Sequence, residues 1–149
     1  MSHRTRTPEQ LVSAYVDVWN ERAYQHIPEV VSESFVLYDP AVPEEGIAGP
    51  RGEAHGPDAV ARFIRGVIAG FPDFHVRVLD TLARDDVVMY EAEVTMTHEG
   101  EFDGMSPTGR DARFRLMSTY LVGDDELEEH RVYFDRLDVF AQLGLTDGE

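Results

Sequence analysis

Histidine and carboxylate side chains on the predicted strands are the groups in this chain that could transfer protons. His130 lies in an alternating segment, 127–135, in which four side chains share one face: Glu128, His130, Val132 and Phe134. An imidazole on a strand face that points inward can act as a general base near neutral pH. A half-buried histidine bonded to Glu128 or to a backbone carbonyl would give the same pattern, so both interpretations stay open.

Two further residues could assist His130. His98 follows a run of alternating apolar residues, 88–96, and would stand at the end of an apolar wall or, alternatively, at the surface end of a strand. Asp39 precedes Pro40 and could be a carboxylate base with a raised pKa, or a residue that forms a turn. The candidate catalytic residues are therefore His130, Asp39 and His98.

The composition excludes several other kinds of chemistry. The chain has no cysteine, and all 13 of its basic residues are arginine, so thiol catalysis, Cys-ligated metals and Schiff-base lysines are excluded. The six histidines show no HxH or HExxH spacing, and the acidic run 124–129 lacks the glycine and ligand spacing of a calcium loop. We therefore predict no metal site.

The apolar periodicity predicts three helices followed by an antiparallel meander. The helices are predicted from Pro8 to Asn20, from Tyr24 to Val31 and from Pro57 to a C-cap at Gly70, with a short strand, 34–39, and a long loop, 40–56, between the second and third. A loop of that length is usually a functional lid or disordered. The period then changes to two, and four strands are predicted at 74–83, 87–98, 112–122 and 127–135, before a short terminal helix at 136–143 with Asp135 as its predicted cap.

This order of elements predicts an α+β fold in which helices cover one face of a curved sheet. Such a fold leaves a concavity at one end, which is the default site for a small molecule. Aromatic side chains could line this pocket or could simply be core. The candidates from this pattern are Tyr15, Trp19, Tyr38, Phe63, Tyr90, Met96, Phe114, Tyr120 and Phe134.

Length and charge limit the domain number and the partners. The 149 residues fit one domain, 1–149, in which we expect 1–6 to be a flexible N-terminus. A net charge of −16 makes nucleic acid and anionic membranes unlikely partners. Because the N-terminus has no apolar signal region and no apolar run is long enough to span a membrane, we expect a cytoplasmic protein.

One segment of the second half carries a specific motif. Residues 98–110, HEGEFDGMSPTGR, resemble the THxGxFxGxxPTGR segment of the SnoaL-like polyketide cyclase and ester cyclase family. Shorter matches in the same order extend the resemblance over about residues 8–145: His55-Gly56-Pro57, Phe71-Pro72-Asp73-Phe74, Glu129-His130, Phe134-Asp135-Arg136-Leu137 and Gln142-Leu143-Gly144-Leu145.

The resemblance implies a fold and a chemistry. The fold is a cone-shaped barrel of the nuclear-transport-factor-2 kind, a curved antiparallel or mixed sheet covered by three N-terminal helices, which usually pairs through its sheets as a homodimer. Family enzymes use no cofactor: a carboxylate removes a proton next to a carbonyl, and a ring closes by an intramolecular aldol step. The same barrel type hosts other enzymes and pure binding modules, so the fold alone does not fix the chemistry.

Three positions depart from the cyclase pattern. In the alignment that the resemblance implies, Val132 replaces the catalytic aspartate, Ser118 replaces a pocket histidine, and Asp39 replaces an asparagine. We therefore add Ser118 and Val132 to the pocket candidates. The first hypothesis is acid/base chemistry on a small, largely apolar or aromatic carbonyl or ester compound; the alternatives are a hydrophobic ligand-binding module without turnover and a dimeric scaffold with a filled cone.

Overall fold

A computed structural model describes residues 6–145, and it contains four helices and six strands. Residues 1–5, most of the segment predicted to be a flexible N-terminus, lie outside the described residues. The helices are α1 (Pro8–Glu21), α2 (Ile27–Val30), α3 (Pro57–Gly70) and α4 (Arg136–Gln142). The strands are β1 (Val31–Tyr38), β2 (Glu53–His55), β3 (His75–Arg84), β4 (Val87–Thr97), β5 (Asp111–Val122) and β6 (Leu127–Tyr133).

The six strands form one curved, mixed sheet in the order β2-β1-β6-β5-β4-β3, which confirms the predicted α+β fold. The sheet does not close into a complete barrel, because β2 and β3 remain as its two edges. β1 and β6 pair in parallel, and the other neighbours are antiparallel. This parallel pairing places β1, the first strand of the chain, beside β6, the last strand of the chain.

The two long helices begin where the sequence signals predict. Thr7 accepts a hydrogen bond from the Gln10 amide, and the Gln10 side chain accepts one from the Thr7 amide, so a capping box opens α1. Pro57 occupies the first turn of α3, where a missing N–H has no helical partner to lose. The apolar faces of both helices are buried, and these faces hold Leu11, Tyr15, Trp19, Phe63 and Val67.

Alternation along the central strands separates an inner from an outer face of the sheet. In β4 the even-numbered residues from Val88 to Met96 are buried beneath the helices, whereas Met89 on the other face is 44% exposed. Fully burying one aliphatic side chain contributes about 1.5–3 kcal/mol. The inner face therefore supplies the core and, at one end, the wall of a cavity.

Several boundaries differ from the sequence prediction. The second predicted helix is a 3₁₀ turn at Tyr24–His26 followed by the single turn α2, and β1 begins at Val31 because that residue already pairs with Leu127. The predicted loop 40–56 is shorter, since Glu53–His55 pairs with β1 as the strand β2. Gly70 lies inside α3, whose C-cap is Phe71. Asp135 caps α4 by accepting from the Asp138 amide, as predicted.

No helix within residues 6–145 is both long enough and apolar enough to cross a lipid bilayer.

A close approach of two glycines attaches the loop after β4 to the end of α3. The amides of Glu99 and Gly100 both donate to the Gly70 carbonyl, each at 3.0 Å. A Cβ at Gly100 would overlap the Ala69 carbonyl oxygen, and a Cβ at Gly70 would lie 2.8 Å from the Phe102 Cβ. These contacts require the small residue at both positions and set the position of the loop 98–110.

We predict that Gly100→Ala lowers the free energy of unfolding by about 1–3 kcal/mol, because the new methyl group overlaps rigid backbone. Urea unfolding monitored by circular dichroism measures the change. The matched control is Gly66→Ala in α3, where no atom lies within 4 Å of the added Cβ. This control should raise stability by about 0.5–1 kcal/mol through helix propensity. Equal effects of the two substitutions would contradict the packing argument.

Candidate active site

An apolar cavity of about 90 Å³ opens at one end of the sheet's inner face. Its walls are formed by two helices, α1 and α3, and by three strands: β6 and the ends of β4 and β5. The helix α4 and the turn 102–105 cover it. Aromatic and aliphatic side chains make up most of the lining, among them Trp19, Phe63, Met96, Phe114, Val132 and Phe134. The arrangement suits a small, largely apolar ligand.

Asp39 is the buried carboxylate of this lining. It follows directly after β1, is 9% exposed, and its Oδ1 accepts a hydrogen bond of 2.8 Å from the Ala41 amide. The residue thus forms the predicted turn and also reaches the cavity. Burial raises the pKa of Asp39 to about 6, and the Ala41 hydrogen bond offsets part of that effect.

Asp39 shares the cavity lining with Arg136, whose guanidinium lies over the Phe140 ring. Among residues 6–145, no arginine or histidine forms an ion pair with Asp39 within 4.0 Å. The nearby hydroxyls of Tyr15 and Tyr90 have their pKa values raised, first by burial and further by the negative charge of Asp39. A carboxylate whose pKa lies near neutrality can both accept and return a proton, which is the requirement for a general base.

His130 is buried beneath the cavity and does not line it. Its Nδ1 lies 3.1 Å from the Tyr15 hydroxyl and its Nε2 lies 2.9 Å from the Ser118 hydroxyl. Its ring stacks on Tyr120 with 4.1 Å between centroids. Burial lowers the pKa of His130 to about 3, so the ring is neutral at physiological pH. The partners differ from the Glu128 or backbone contact considered above, and Glu128 instead accepts from the Ser32 hydroxyl at 2.8 Å.

A second hydrogen bond continues the polar cluster around His130. The hydroxyls of Tyr90 and Tyr120 lie 2.7 Å apart, and both tyrosines are buried. Burial raises the pKa of both phenols, so they remain protonated and can donate hydrogen bonds. These contacts satisfy polar atoms that would otherwise be costly in the core.

His98 is fully buried, so the interpretation as a surface residue at a strand end is wrong. Its ring stacks on Phe71 with a centroid distance of 5.1 Å, and Phe71 lines the cavity. The Thr108 amide and hydroxyl both lie 3.3 Å from its Nδ1. The residue therefore lies one aromatic ring away from the cavity, and like His130 it is outside the lining.

The predicted pocket residues divide into two groups. Trp19, Phe63, Met96, Phe114, Val132 and Phe134 line the cavity. Tyr15, Tyr38, Tyr90, Ser118 and Tyr120 do not. Tyr15, Tyr90, Ser118 and Tyr120 belong to the buried polar cluster around His130, where their hydroxyls are hydrogen-bonded. Tyr38 lies on the opposite face of β1, and the Arg131 guanidinium is 5.9 Å from its ring.

Sequence reasoning missed the cover of the cavity. The terminal helix lines it through Val139, Phe140 and the C-cap residue Leu143. Leu143 follows the other two residues by four and three positions, and this helical spacing of apolar residues was the sequence signal for a buried face. Phe102 and Met105 line it from a two-residue turn in which their backbones bond to each other and Asp103 and Gly104 have positive φ. Of the predicted long loop, Ala41 reaches the lining together with Asp39.

Two arginines of β5 lie away from the cavity. Arg113 and Arg115 are mostly exposed on the outer face of the sheet, where Arg113 pairs with Glu93 at 2.9 Å. Within residues 6–145, no cluster of three or more histidine or carboxylate side chains has the arrangement of a metal site.

Comparisons with known proteins agree with the motif. A family model described as SnoaL-like polyketide cyclase matches residues 9–143. The solved structure of IdmH from Streptomyces antibioticus, a proposed polyketide cyclase, is similar with a TM-score of 0.78 and 25% identity over 93% of this chain and 99% of that chain. AclR from Streptomyces galilaeus, a proposed hydroxylase, has a TM-score of 0.74 and 26% identity over 95% of this chain and 83% of that chain.

A more distant structure supports the fold. A Catenulispora acidiphila protein with a ketosteroid isomerase-like fold, solved with trimethylamine, has a TM-score of 0.75 at 17% identity and covers 94% of this chain and 95% of its own. At this identity the likeness shows the fold alone. A search of curated proteins found no significant match.

We predict that Asp39→Asn stabilises the fold at pH 8 by up to about 3 kcal/mol. The folded-state pKa of about 6 lies above the value of 3.8 for a free carboxyl, so the folded state binds more protons between these values and loses stability as the pH rises through them. Asparagine removes this loss and keeps an oxygen for the Ala41 amide. Urea unfolding at pH 4, 5, 6 and 8 should show a gain that appears only above about pH 4.

The matched control is Asp103→Asn, which changes the exposed carboxylate of the same lining. If the two substitutions gave the same gain at pH 8, the effect would come from net charge and not from the burial of Asp39.

Proposed function

Because the chain belongs to the SnoaL-like polyketide cyclase family, we propose that it catalyses cofactor-independent proton transfer on a small, largely apolar carbonyl or ester compound. The observation that carries this proposal is the buried carboxylate of Asp39 in the wall of an apolar cavity. Enzymes that remove a proton next to a carbonyl use a general base with a pKa near the working pH. Asp39 meets that condition, with a pKa of about 6.

The proposed step moves one proton and one electron pair. The Asp39 carboxylate takes the proton from the carbon next to the carbonyl, the C–H electron pair forms a C=C bond, and the carbonyl oxygen gains the negative charge. Return of a proton from the carboxyl group to the same or another carbon completes an exchange or an isomerisation. Apolar walls favour the reaction because they leave the charge-bearing groups without competing water.

Asp39 takes the place of His130 as the first choice for the base in this proposal. Both ring nitrogens of His130 have hydroxyl partners, and the ring does not line the cavity. We propose that His130 holds the cavity wall through Tyr15 and Ser118. Its role as an acid or base stays a prediction that the same experiment tests.

A binding module without turnover is the second candidate. Val132, which stands where the resemblance places the catalytic aspartate, lines the cavity as an apolar residue. A protein of this kind would bind the same class of apolar ligand and leave its protons in place.

Deuterium exchange of 2-tetralone in D₂O, followed by proton NMR, tests the enzyme proposal. We expect the protein to speed exchange at the carbon next to the carbonyl, and Asp39→Asn to reduce the rate at least about 100-fold. Because the ionised carboxylate is the active form, kcat/KM should fall about tenfold for each pH unit below about 6.

Two further variants complete this test. Glu45→Gln should retain exchange, because Glu45 is exposed and does not line the cavity. If His130→Gln loses exchange while Asp39→Asn keeps it, the base is His130. Binding of 2-tetralone without any accelerated exchange would favour the binding module.

We also propose that the protein forms a homodimer through the outer face of the sheet. This face, on the side away from the helices, exposes large apolar side chains on β3 to β6: Leu82 (75% exposed), Met89 (44%), Met117 (48%) and Tyr133 (59%). Leu82 pairs with Met89 and Met117 pairs with Tyr133 in the sheet register, and the two pairs are diagonal neighbours because Met89 pairs with Thr119, two residues from Met117. Contiguous exposed apolar surface of this kind marks an interaction site.

The charges on the outer face are compatible with a second copy. Arg77, Arg113 and Arg115 alternate there with Glu91 and Glu93. A two-fold axis through the face can therefore place acidic groups opposite arginines, although the whole chain carries a net charge of −16.

We predict that Met117→Glu dissociates the homodimer, because two copies of a new carboxylate would be buried near the axis without partners. Sedimentation velocity at micromolar concentration gives the mass of the species. Leu137→Glu is the control, since Leu137 is 69% exposed on α4 and outside the outer face. A wild-type protein that sediments as a monomer would overturn the proposal.

A further inference from the structure

One buried ring nitrogen has no hydrogen-bond partner among residues 6–145. This atom is Nε2 of His98, in a side chain that is fully buried. An unpaired buried donor or acceptor costs about 1–3 kcal/mol. Because such an atom is expensive, its presence next to a candidate active site calls for a functional explanation.

The other nitrogen of the same ring fixes the proton position. The backbone N–H of Thr108 lies 3.3 Å from Nδ1, and an N–H can only donate. Nδ1 is therefore the acceptor, which leaves the ring proton on Nε2. The Thr108 hydroxyl, also 3.3 Å from Nδ1, can donate to the same atom while its oxygen accepts from the Arg110 amide. The unpaired atom is thus a hydrogen-bond donor with a fixed orientation.

The position of His98 places this donor close to the cavity. Met96, two residues earlier on the same face of β4, lines the cavity. The Phe71 ring lines it too and stacks directly on His98, and Phe102 packs against Phe71 with 5.5 Å between centroids. The Phe71 ring therefore separates the imidazole of His98 from the cavity.

The cavity is small for a ligand of ordinary size. The cavity measures about 90 Å³, whereas cavities for ligands of ordinary size measure about 300–1,000 Å³. Phe102 sits on a two-residue turn whose tip, Asp103 and Gly104, is exposed. The hydrogen bonds that hold this loop to α3 come from Glu99 and Gly100, before the turn, and the Phe102 side chain is only partly buried.

We propose that ligand binding displaces the Phe102 and Phe71 rings and brings the Nε2–H of His98 into hydrogen-bond contact with the carbonyl oxygen of the ligand. This inference rests on the proposed function and extends it. When Asp39 removes a proton from carbon, the carbonyl oxygen gains the negative charge, and a fixed donor at that oxygen stabilises the enolate. Thr108 is then a positioning residue, because it holds the imidazole in the donor tautomer.

A pair of ligands that differ by one oxygen tests this contact. 2-Naphthol is a planar analogue of the enol of 2-tetralone, and naphthalene lacks the oxygen. We expect His98→Phe, which keeps an aromatic ring on Phe71, to weaken 2-naphthol binding about tenfold and to leave naphthalene binding unchanged. His98→Gln, which restores an amide N–H donor, should recover most of the lost affinity. Fluorescence titration gives the dissociation constants.

NMR of the wild-type protein labelled with ¹⁵N-histidine gives an independent readout. We expect the His98 Nε2 to carry the proton in the free protein, and its proton resonance to shift downfield when 2-naphthol binds but not when naphthalene binds. This measurement tests the proposal even if His98→Phe fails to fold. An unchanged resonance with 2-naphthol bound, or equal losses for both ligands in His98→Phe, would overturn the donor role.

The failures of the two proposals are distinguishable. If Asp39→Asn abolishes exchange of 2-tetralone while His98→Phe retains both exchange and 2-naphthol affinity, the further inference fails and the proposed function stands. If the wild-type protein exchanges no 2-tetralone but binds 2-naphthol through His98, the proton-transfer function fails and the ligand contact stands.

Discussion

The carboxyl group of Asp39 is buried against aromatic and aliphatic side chains with a single backbone N–H, that of Ala41, bonded to it. In water the same group would be ionised and fully hydrated, so its place in the cavity wall is unfavourable for the fold and useful for proton chemistry. The surrounding structure must hold it there. The parallel pairing of β1 with β6 fixes the end of β1, and the bond from the Asp39 amide to the Gly52 carbonyl fixes the turn that follows.

A second buried ionisable group makes the opposite contribution to stability. The pKa of His130 is lowered to about 3 by burial, so the folded state binds fewer protons than the unfolded state between about pH 3 and 6.5, and this residue adds stability as the pH rises. Asp39 removes stability over much of the same range. The contributions of these two groups to the pH dependence of stability therefore partly cancel. The hydroxyls of Tyr15 and Ser118 make this possible, because they pair both nitrogens of a neutral imidazole.

The sequence predicted the elements well because their signals are local. The capping residues around Thr7 and Pro57, the alternation from Val88 to Met96 and the cap at Asp135 each specify an element through residues a few positions apart. The candidate site was predicted in part. The alternation of the strand placed His130 on the inner face of the sheet, but it does not specify how deeply a side chain is buried. It therefore did not show that the ring lies beneath the cavity wall, where it bonds to Tyr15 of α1, 115 positions away. The burial of His98 depends on the contact of Gly100 with the end of α3, and such a close approach of two distant backbones leaves only a glycine in the sequence as its signal.

The parallel contact between β1 and β6 also has a consequence for how the chain reaches this structure. It joins Val31 to Leu127 and Leu37 to His130, so about two thirds of the chain lies between the paired residues. The hairpins of β3, β4 and β5 can form from neighbouring residues, whereas the β1–β2 pair has no sheet to join until β6 is available. Closing a long loop is entropically costly, and topologies with distant pairings fold slowly. Asp39 and Val132 belong to the wall of the cavity and come from the ends of these two strands, so the wall is complete only once this long-range pairing has formed.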